Sequence, residues 1–178
     1  MEITIREMHA TDAEKFQEAV LESVEHVSPW LAWCTPDYSI EDATAWAESA
    51  ADTWRNGTDY RFAIEDRDEG RVLGCVGINQ VVPQHRIGNL GYWVRRTALN
   101  QGVCTRAARL VVDYAFRELN FQRIEIHVHP DNIASNAVAA KLGGRYEGVF
   151  LNKLYFNGAA TPAKCYAIIP DDYQIPQI

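Results

Sequence analysis

Apolar positions recur along this chain with two periods, and the points where the period changes mark out its elements. Ile3 to Arg6 reads as a short first strand, and Thr11-Asp12 offers an N-cap for a helix running to about His26. Ser28 to Ser39, SPWLAWCTPDYS, is an aromatic connection punctuated by proline. Ser39, with Asp42 three positions on, gives a capping-box start to a second helix; Ala43, Ala47, Ala50 and Trp54 recur at helical spacing until Asn56-Gly57 stops it. The period then shortens. Tyr60–Glu65, Arg71–Ile78 and Ile87–Val94 read as strands, the first two joined through the charged turn 66–70 as an antiparallel hairpin.

From Gly102 the helical period returns. Ala107, Val111 and Ala115 form an apolar stripe, widened by Val112, Phe116 and Leu119, while Arg106, Arg109, Asp113 and Arg117 take the solvent side. Such a helix lies on a sheet. Arg123–His129 alternates, with Ile124, Ile126 and Val128 on one face and Glu125, His127 and His129 on the other. Strand, helix and strand in this order predict a right-handed crossover and a parallel pair. PDNIASNAVAAKLGG makes a short helix capped at Asp131 or Asn132 and ended by Gly143-Gly144. Tyr146–Leu154 and Ala163–Ile169 then close the chain as strands around a turn at Asn157-Gly158. The pattern predicts a single α/β domain over residues 1–178, with flanking helices on a central, mixed, mostly antiparallel twisted sheet.

Composition narrows the function classes. With 178 residues, 47% of them hydrophobic and 23% charged, the chain is long enough to bury one real core. No apolar run reaches membrane-spanning length and the start lacks a basic-then-apolar leader, so a cytoplasmic location with no membrane partner is expected. Cys34, Cys75, Cys104 and Cys165 stand singly, without a C-x-x-C or a zinc-type histidine spacing; they read as reduced core residues, and no metal is expected. A formal net charge of -7 argues against direct nucleic-acid binding and suits a cationic partner such as an amine.

The chemistry-bearing stretch is TALNQGVCTRAARLVV, Thr97 to Val112, where a loop enters a helix through Gly102. Bare amides and the positive end of the helix dipole make such an entry a seat for phosphate. LNQGVCT lacks the lysine and hydroxyl residue of a Walker loop and the further glycines of a dinucleotide fingerprint. On its own residues the stretch reads as an ordinary glycine turn.

Its surroundings say more. GYWVRRTALNQGVCTRAARLVVDYAF, followed by FQRIEIHVHPDNIASNAVAAKLGG, resembles the GNAT superfamily of acetyl-CoA-dependent N-acetyltransferases. GYWV, DNIASNAVAAKLG followed by EGVF, and WLAW are similar to its RimJ/RimL-type branch, which acetylates protein N-termini, including those of ribosomal proteins. The resemblance places the family's pyrophosphate loop on Leu99–Cys104: Gly102 matches, whereas Leu99 and Cys104 depart from the pattern. It implies acetyl-CoA as cofactor, held at Asn100, Gln101, Gly102, Val103, Cys104 and Thr105. The strand ending at Val94 would splay from the strand carrying His127, and the pantetheine arm would pair there with backbone around Trp93 and Val94, one of whose amides polarises the thioester carbonyl. Asn132 matches the asparagine that contacts the arm, a role compatible with capping its helix, and Arg95 and Arg96 are read as surface arginines within reach of the cofactor phosphates.

The family's usual acid, a tyrosine seven residues after that asparagine, falls on Ala139. Ser135, three after it, matches the serine of the Rim-type branch and is the candidate general acid, or hydrogen-bond partner, for the leaving thiolate. Carboxylates expected at Asn89 and Leu154 are absent, which leaves Glu125, His127 or a water chain to take the amine's proton, with no base assigned. Trp30, Trp33, Tyr38 and Tyr155 are expected to wall the acceptor side. The function implied is acetyl transfer to a primary amine, foremost the α-amine of a protein or peptide N-terminus. The alternatives are a small amine (antibiotic, aminoacyl-nucleotide or polyamine) and a non-catalytic acyl-CoA-binding module; homodimerisation is left open.

Overall fold

The strand-period segments join edge to edge into one sheet. The computed structural model describes residues 1–156, 158–171 and 173. Its strands are β1 (Ile3–Glu7), β2 (Tyr60–Asp66), β3 (Val72–Val82), β4 (Ile87–Val94), β5 (Arg123–Val128), β6 (Arg145–Phe156) and β7 (Ala159–Ile168). They lie in the order β1-β2-β3-β4-β5-β7-β6. Every neighbouring pair is antiparallel except β4 with β5, the parallel pair that the strand-helix-strand order predicts.

Four helices cover the two faces: α1 (Ala13–Val27), α2 (Ile40–Asn56), α3 (Val103–Arg117) and α4 (Ile133–Lys141). Because side chains alternate along each strand, Phe62, Ile64, Leu90 and Val94 join the α3 side of the core, whereas Ala63 and Trp93 join the α1–α2 side. The α3 stripe is buried as its period requires, with Ala107, Val111, Val112 and Ala115 all at 0% exposure. Phe16, Ala19, Val20, Ser23 and Val27 supply the corresponding stripe on α1. The helix α2 begins in the expected capping box, Ser39 Oγ accepting from the Asp42 amide at 3.1 Å.

Three expectations shift. Asp12 precedes α1, but its carboxylate turns to Arg6, bonded at 2.7 Å to both terminal nitrogens, and to the His9 amide, so it pins β1 rather than capping the helix. The strands β3, β6 and β7 run longer than their apolar pattern. β6 is an edge strand exposed over most of its length, so no buried face imposes an alternation to read. Of the predicted hairpin turn, Gly158 sits at φ +77°, and Asn157 lies outside the described residues, as do Asp172 and residues 174–178 of the expected domain.

Arg95 is not a surface arginine. At 2% exposure it lies between α1 and the end of β4, donating to Glu18 at 2.7 Å, to Glu22, and to the Val72 carbonyl at 3.1 Å. Glu22 also accepts the Thr97 amide at 2.9 Å, so one carboxylate ties α1 to the strand end and to the loop that follows. A guanidinium so enclosed has its charge taken up by its own carboxylates and is not exposed to a cofactor phosphate; Arg96, largely exposed, pairs with Glu25 at 3.3 Å.

The hydrogen bond from Arg95 holds the Glu22 carboxyl down from its ordinary 4.5 to about 2, against the opposing effect of burial. A depressed folded-state pKa adds stability that is complete above the unfolded value and is lost as pH falls toward the folded one. Glu22→Gln is therefore expected to flatten the acid limb of unfolding free energy between about pH 4.5 and 2, measured by urea unfolding across that range. An unchanged limb would show that the clamp does not bear on folding.

Candidate active site

Two strands that run parallel and then part leave backbone groups without partners. β4 and β5 pair over only three rungs, Ile87↔Arg123, Gly88↔Ile124 and Asn89↔Glu125; beyond them Leu90–Val94 and Ile126–Val128 diverge into a V. Buried backbone polar groups left unpaired are costly, so the opening must be finished by other groups. At its apex the Asn89 side chain accepts the His127 amide at 3.2 Å and donates to Asn79 Oδ1 at 2.9 Å. A carboxamide, with both donor and acceptor, thus stands where the resemblance called for a carboxylate, and it closes the split rather than serving as a base. On the outer arm His26 of α1 donates from Nε2 to the Val94 carbonyl at 2.9 Å. The Arg95 amide bonds back to Leu73 of β3, so by strand alternation Tyr92 and Val94 direct their main-chain groups into the V.

The loop after β4 is shaped by conformation more than by polar side chains. Leu99, the departure from the family pattern, packs on the core and anchors the loop. Asn100 at φ +60° and Gly102 at φ +70° both take the left-handed conformation, which asparagine tolerates and glycine adopts freely. A Cβ built on Gly102 meets nothing within 4 Å, so glycine is there for the turn and for the open floor it leaves. The first helical bond of α3 runs from the Arg106 amide to the Gly102 carbonyl at 3.0 Å, which leaves the Val103, Cys104 and Thr105 amides ahead of it facing outward at the positive end of a fifteen-residue helix. Those amides suit a pyrophosphate. Gln101 turns away, its side chain donating to the Thr97 carbonyl at 2.7 Å, and does not line the site. Burial pushes the Cys104 thiol up to about 12, so it fills space as an alanine would.

One cavity of about 780 Å³ joins the V, the loop and the first turn of α4. Trp93, Val94, Asn100, Gly102, Val103, Cys104, Thr105, Asn132 and Ser135 all line it, although the main-chain groups of Trp93, expected to meet the arm, turn toward β3. Asn132 caps α4, accepting the Ser135 amide at 3.0 Å, and its carboxamide nitrogen remains for a ligand. Ala139, at 0% exposure, is a helix-packing residue without chemistry. The rim is aromatic: the His129 ring lies 5.6 Å from Trp30 and 5.8 Å from Phe156, with Tyr155 beside them. Trp33 and Tyr38 are not at the rim; they join a ring cluster with Phe16 and Trp93 and back the wall from behind.

Each histidine here has its tautomer fixed by a partner. His127 donates Nε2–H to Glu125 at 2.7 Å, and burial draws its pKa below the ordinary 6.5 despite that bond, so it is neutral at pH 7. Burial raises the Glu125 carboxyl, yet bonds from Arg123, at 2.8 Å, and His127 outweigh it and keep the group ionised. The three side chains Glu125, His127 and Cys165 bring ligand-type atoms within 4.8 Å of one another, but the carboxylate is already neutralised by Arg123. His127 lines the cavity while Glu125 holds it from behind, and among the described residues His127 Nδ1 is buried without a partner.

Several of these residues escaped the sequence reading: Tyr92, Asn79, His26, His129 and Phe156. Tyr92 carried a signal, since it belongs to the GYWV motif; the others are brought in by tertiary packing alone. The assembled site offers amides for a phosphate-bearing ligand, an unpaired strand edge for an extended arm, and a serine hydroxyl where the two meet.

Comparison with known proteins agrees with this geometry. The model of the Acetyltransferase (GNAT) domain matches residues 2–145. The probable N-acetyltransferase YjcK of Bacillus subtilis is 30% identical over 175 residues, 97% of either chain, and the ribosomal-protein-serine acetyltransferase of Escherichia coli is 25% identical over 169 residues, 93% of either chain. The solved structure of Mycobacterium smegmatis RimJ in complex with CoA-disulfide superposes with a TM-score of 0.88 at 26% identity, covering 98% of this chain and 84% of that one.

Gly102→Ala is expected to strain the turn by roughly 1 kcal/mol, lowering Tm by a few degrees, and to place a methyl on the open floor. Calorimetric titration should find CoA bound about tenfold more weakly, ~1.4 kcal/mol. Unaltered affinity would move the phosphate seat elsewhere.

Proposed function

This chain belongs to the GNAT acetyltransferase family, whose members move an acetyl group from acetyl-CoA to an amine, and on that premise we propose that its acceptor is the α-amine of a protein or peptide N-terminus. The observation that carries the reading is the continuity of one cavity, from the bare amides of α3 along the unpaired edge of β4 to an open aromatic rim. An open rim suits the end of a chain whose remainder stays outside. The E. coli relative named for ribosomal-protein serine acetylation lends the same support, and the net charge of -7 favours a cationic acceptor.

The residues divide the work by position. Bound acetyl-CoA supplies the activated acetyl group. The amides of Val103, Cys104 and Thr105 hold its pyrophosphate, with Asn100 shaping the loop. Main-chain groups of Tyr92 pair with a pantetheine amide as an added strand would, and the Val94 amide is the donor for the carbonyl oxygen as charge develops there. The Val94 carbonyl, already engaged by His26, takes no part. Ser135, at the first turn of α4, hydrogen-bonds the departing sulfur. Trp30, His129, Phe156 and Tyr155 frame the entering amine and keep bulk water from the acetyl carbon.

The rings of that rim also favour a second reading, a small ammonium-bearing acceptor such as a polyamine held over aromatic faces. A mass-shift screen separates the two. Peptides with free α-amines should gain an acetyl group, while polyamines, aminoglycosides and aminoacyl-nucleotides remain unmodified. Modification of small amines alone would overturn the N-terminal acceptor, and CoA binding without CoA release on any amine would make the protein an acyl-CoA-binding module. Within the same assay Ser135→Ala should lower kcat about a hundredfold while leaving acetyl-CoA affinity within about twofold. Turnover at the wild-type rate would remove Ser135 from the reaction.

A further inference from the structure

Ser135 does not face the cavity alone. The Tyr92 hydroxyl reaches across the V from β4 to α4 and lies 3.1 Å from Ser135 Oγ and 3.1 Å from the Ser135 carbonyl oxygen. These are the hydrogen bonds by which the diverging arm of β4 touches α4. Tyr92 lines the same cavity, its ring packed on the α3 side of the core. Tyr92 is thus an unassigned hydroxyl in direct contact with the candidate hydroxyl of the reaction.

We propose that Tyr92 is the positioning residue that arms Ser135, its phenol donating to Ser135 Oγ so that the serine's own proton is directed at the sulfur of the cofactor. The proposal rests on the acetyl-transfer reading of the site and adds to it the group that makes a serine an effective donor there.

The chemistry follows from one proton and two acceptors. A phenol has a single O–H, and here both acceptors belong to one residue, at equal distance. Against a neutral thioester, Tyr92 can rest its proton on the Ser135 carbonyl. During transfer the C–N bond forms, the C–S bond breaks with its electron pair left on sulfur, and the amine's proton goes to solvent. As charge builds on sulfur, the serine O–H turns toward it, and the phenol proton swings onto Ser135 Oγ without movement of any heavy atom. The result is a two-link donor chain, Tyr92 to Ser135 to sulfur, in which each bond strengthens the next and the terminal bond is charge-assisted. Because the chain closes only when sulfur is anionic, its energy is spent on the transition state rather than on binding.

Burial supports the same assignment. Desolvation raises the Tyr92 phenol well above its ordinary value, and the hydrogen bond from Ser135 offsets only part of this, so Tyr92 stays protonated and acts as a donor rather than losing its proton. Serine itself is too weak an acid to give up its proton to a thiolate, and a hydroxyl polarised from behind supplies the stabilisation without that transfer.

Two measurements test this, one of which needs neither an acceptor nor turnover. Wild-type protein should bind free CoA about tenfold more tightly at pH 9 than at pH 7, because the hydroxyl chain favours the thiolate over the thiol and lowers the thiol's pKa on binding. Desulfo-CoA, which lacks the sulfur, serves as the control and should show no such gain. Tyr92→Phe, which keeps the ring and the packing, should abolish most of the pH-dependent gain while leaving acetyl-CoA affinity and Tm nearly unchanged. In turnover, read as CoA release with amine or with water as acceptor, Tyr92→Phe should lower kcat about tenfold, ~1.4 kcal/mol, with KM for acetyl-CoA preserved. It should add almost nothing on top of Ser135→Ala. A wild-type pH gain in Tyr92→Phe would overturn the proposal, and so would an equal loss of kcat in the presence and absence of Ser135. Failure of every peptide as acceptor would leave both measurements standing, since CoA binding and release to water do not depend on the acceptor.

Discussion

The separation of β4 from β5 after three rungs is the constraint around which this molecule is arranged. A parallel pair in mid-sheet normally satisfies both strands; here each arm beyond the apex is paired on one side only, β4 to β3 and β5 to β7. The free edges persist because polar groups finish the split at fixed points. Asn89 fills the apex, His26 takes the Val94 carbonyl, and Tyr92 bridges to α4. What these groups leave unfinished is the strand edge on which an extended ligand can lie. The α1 carboxylate Glu22 then holds the end of β4 and the next loop in one place through Arg95 and Thr97, so the V and the open end of α3 keep a common alignment.

That alignment separates two kinds of work. The proposed phosphate seat depends on backbone shape at Asn100 and Gly102, a design that would tolerate Leu99 and Cys104 because neither side chain is asked to contact the ligand's charge. The proposed reacting end rests on the side-chain hydroxyls of Ser135 and Tyr92, which are paired before any ligand arrives. Preorganisation of this kind costs nothing at the moment of reaction, which is where an electrostatic contribution is largest. On the opposite arm His127 lines the cavity in its neutral form, held by the ionised Glu125 behind it.

Much of this was legible in the residues. The periods of α2 and α3 and the alternation of β5 gave those elements nearly to their ends, since each buries one face and its pattern has a single solution. β6 was legible only in part, because an exposed edge strand imposes no such pattern. Through the family resemblance, motif spacing pointed to the Leu99–Cys104 loop, Asn132 and Ser135, most of which line one cavity. Arg95 was misread: a charge in sequence says nothing of the two carboxylates that α1 folds over it. Trp33 and Tyr38 were assigned to the acceptor side through the family resemblance, whereas packing gives the rim to His129 and Phe156, which lie far from Trp30 in sequence. Asn89 marked an expected carboxylate that was missing, and only the pairing of β4 with β5 reveals that its task is to close a gap.

In the proposed complex the unpaired edge of β4 receives the extended arm of the cofactor. Amide hydrogen exchange across Leu90–Val94, followed by mass spectrometry with and without CoA, tests it most directly. The Leu90, Tyr92 and Val94 amides, which point away from β3, should exchange faster than the amides of β3 when the protein is free, and CoA should slow them markedly, together with the Val103–Thr105 amides at the start of α3. Saturation with CoA that protects the α3 amides yet leaves Leu90–Val94 exchanging as before would contradict it.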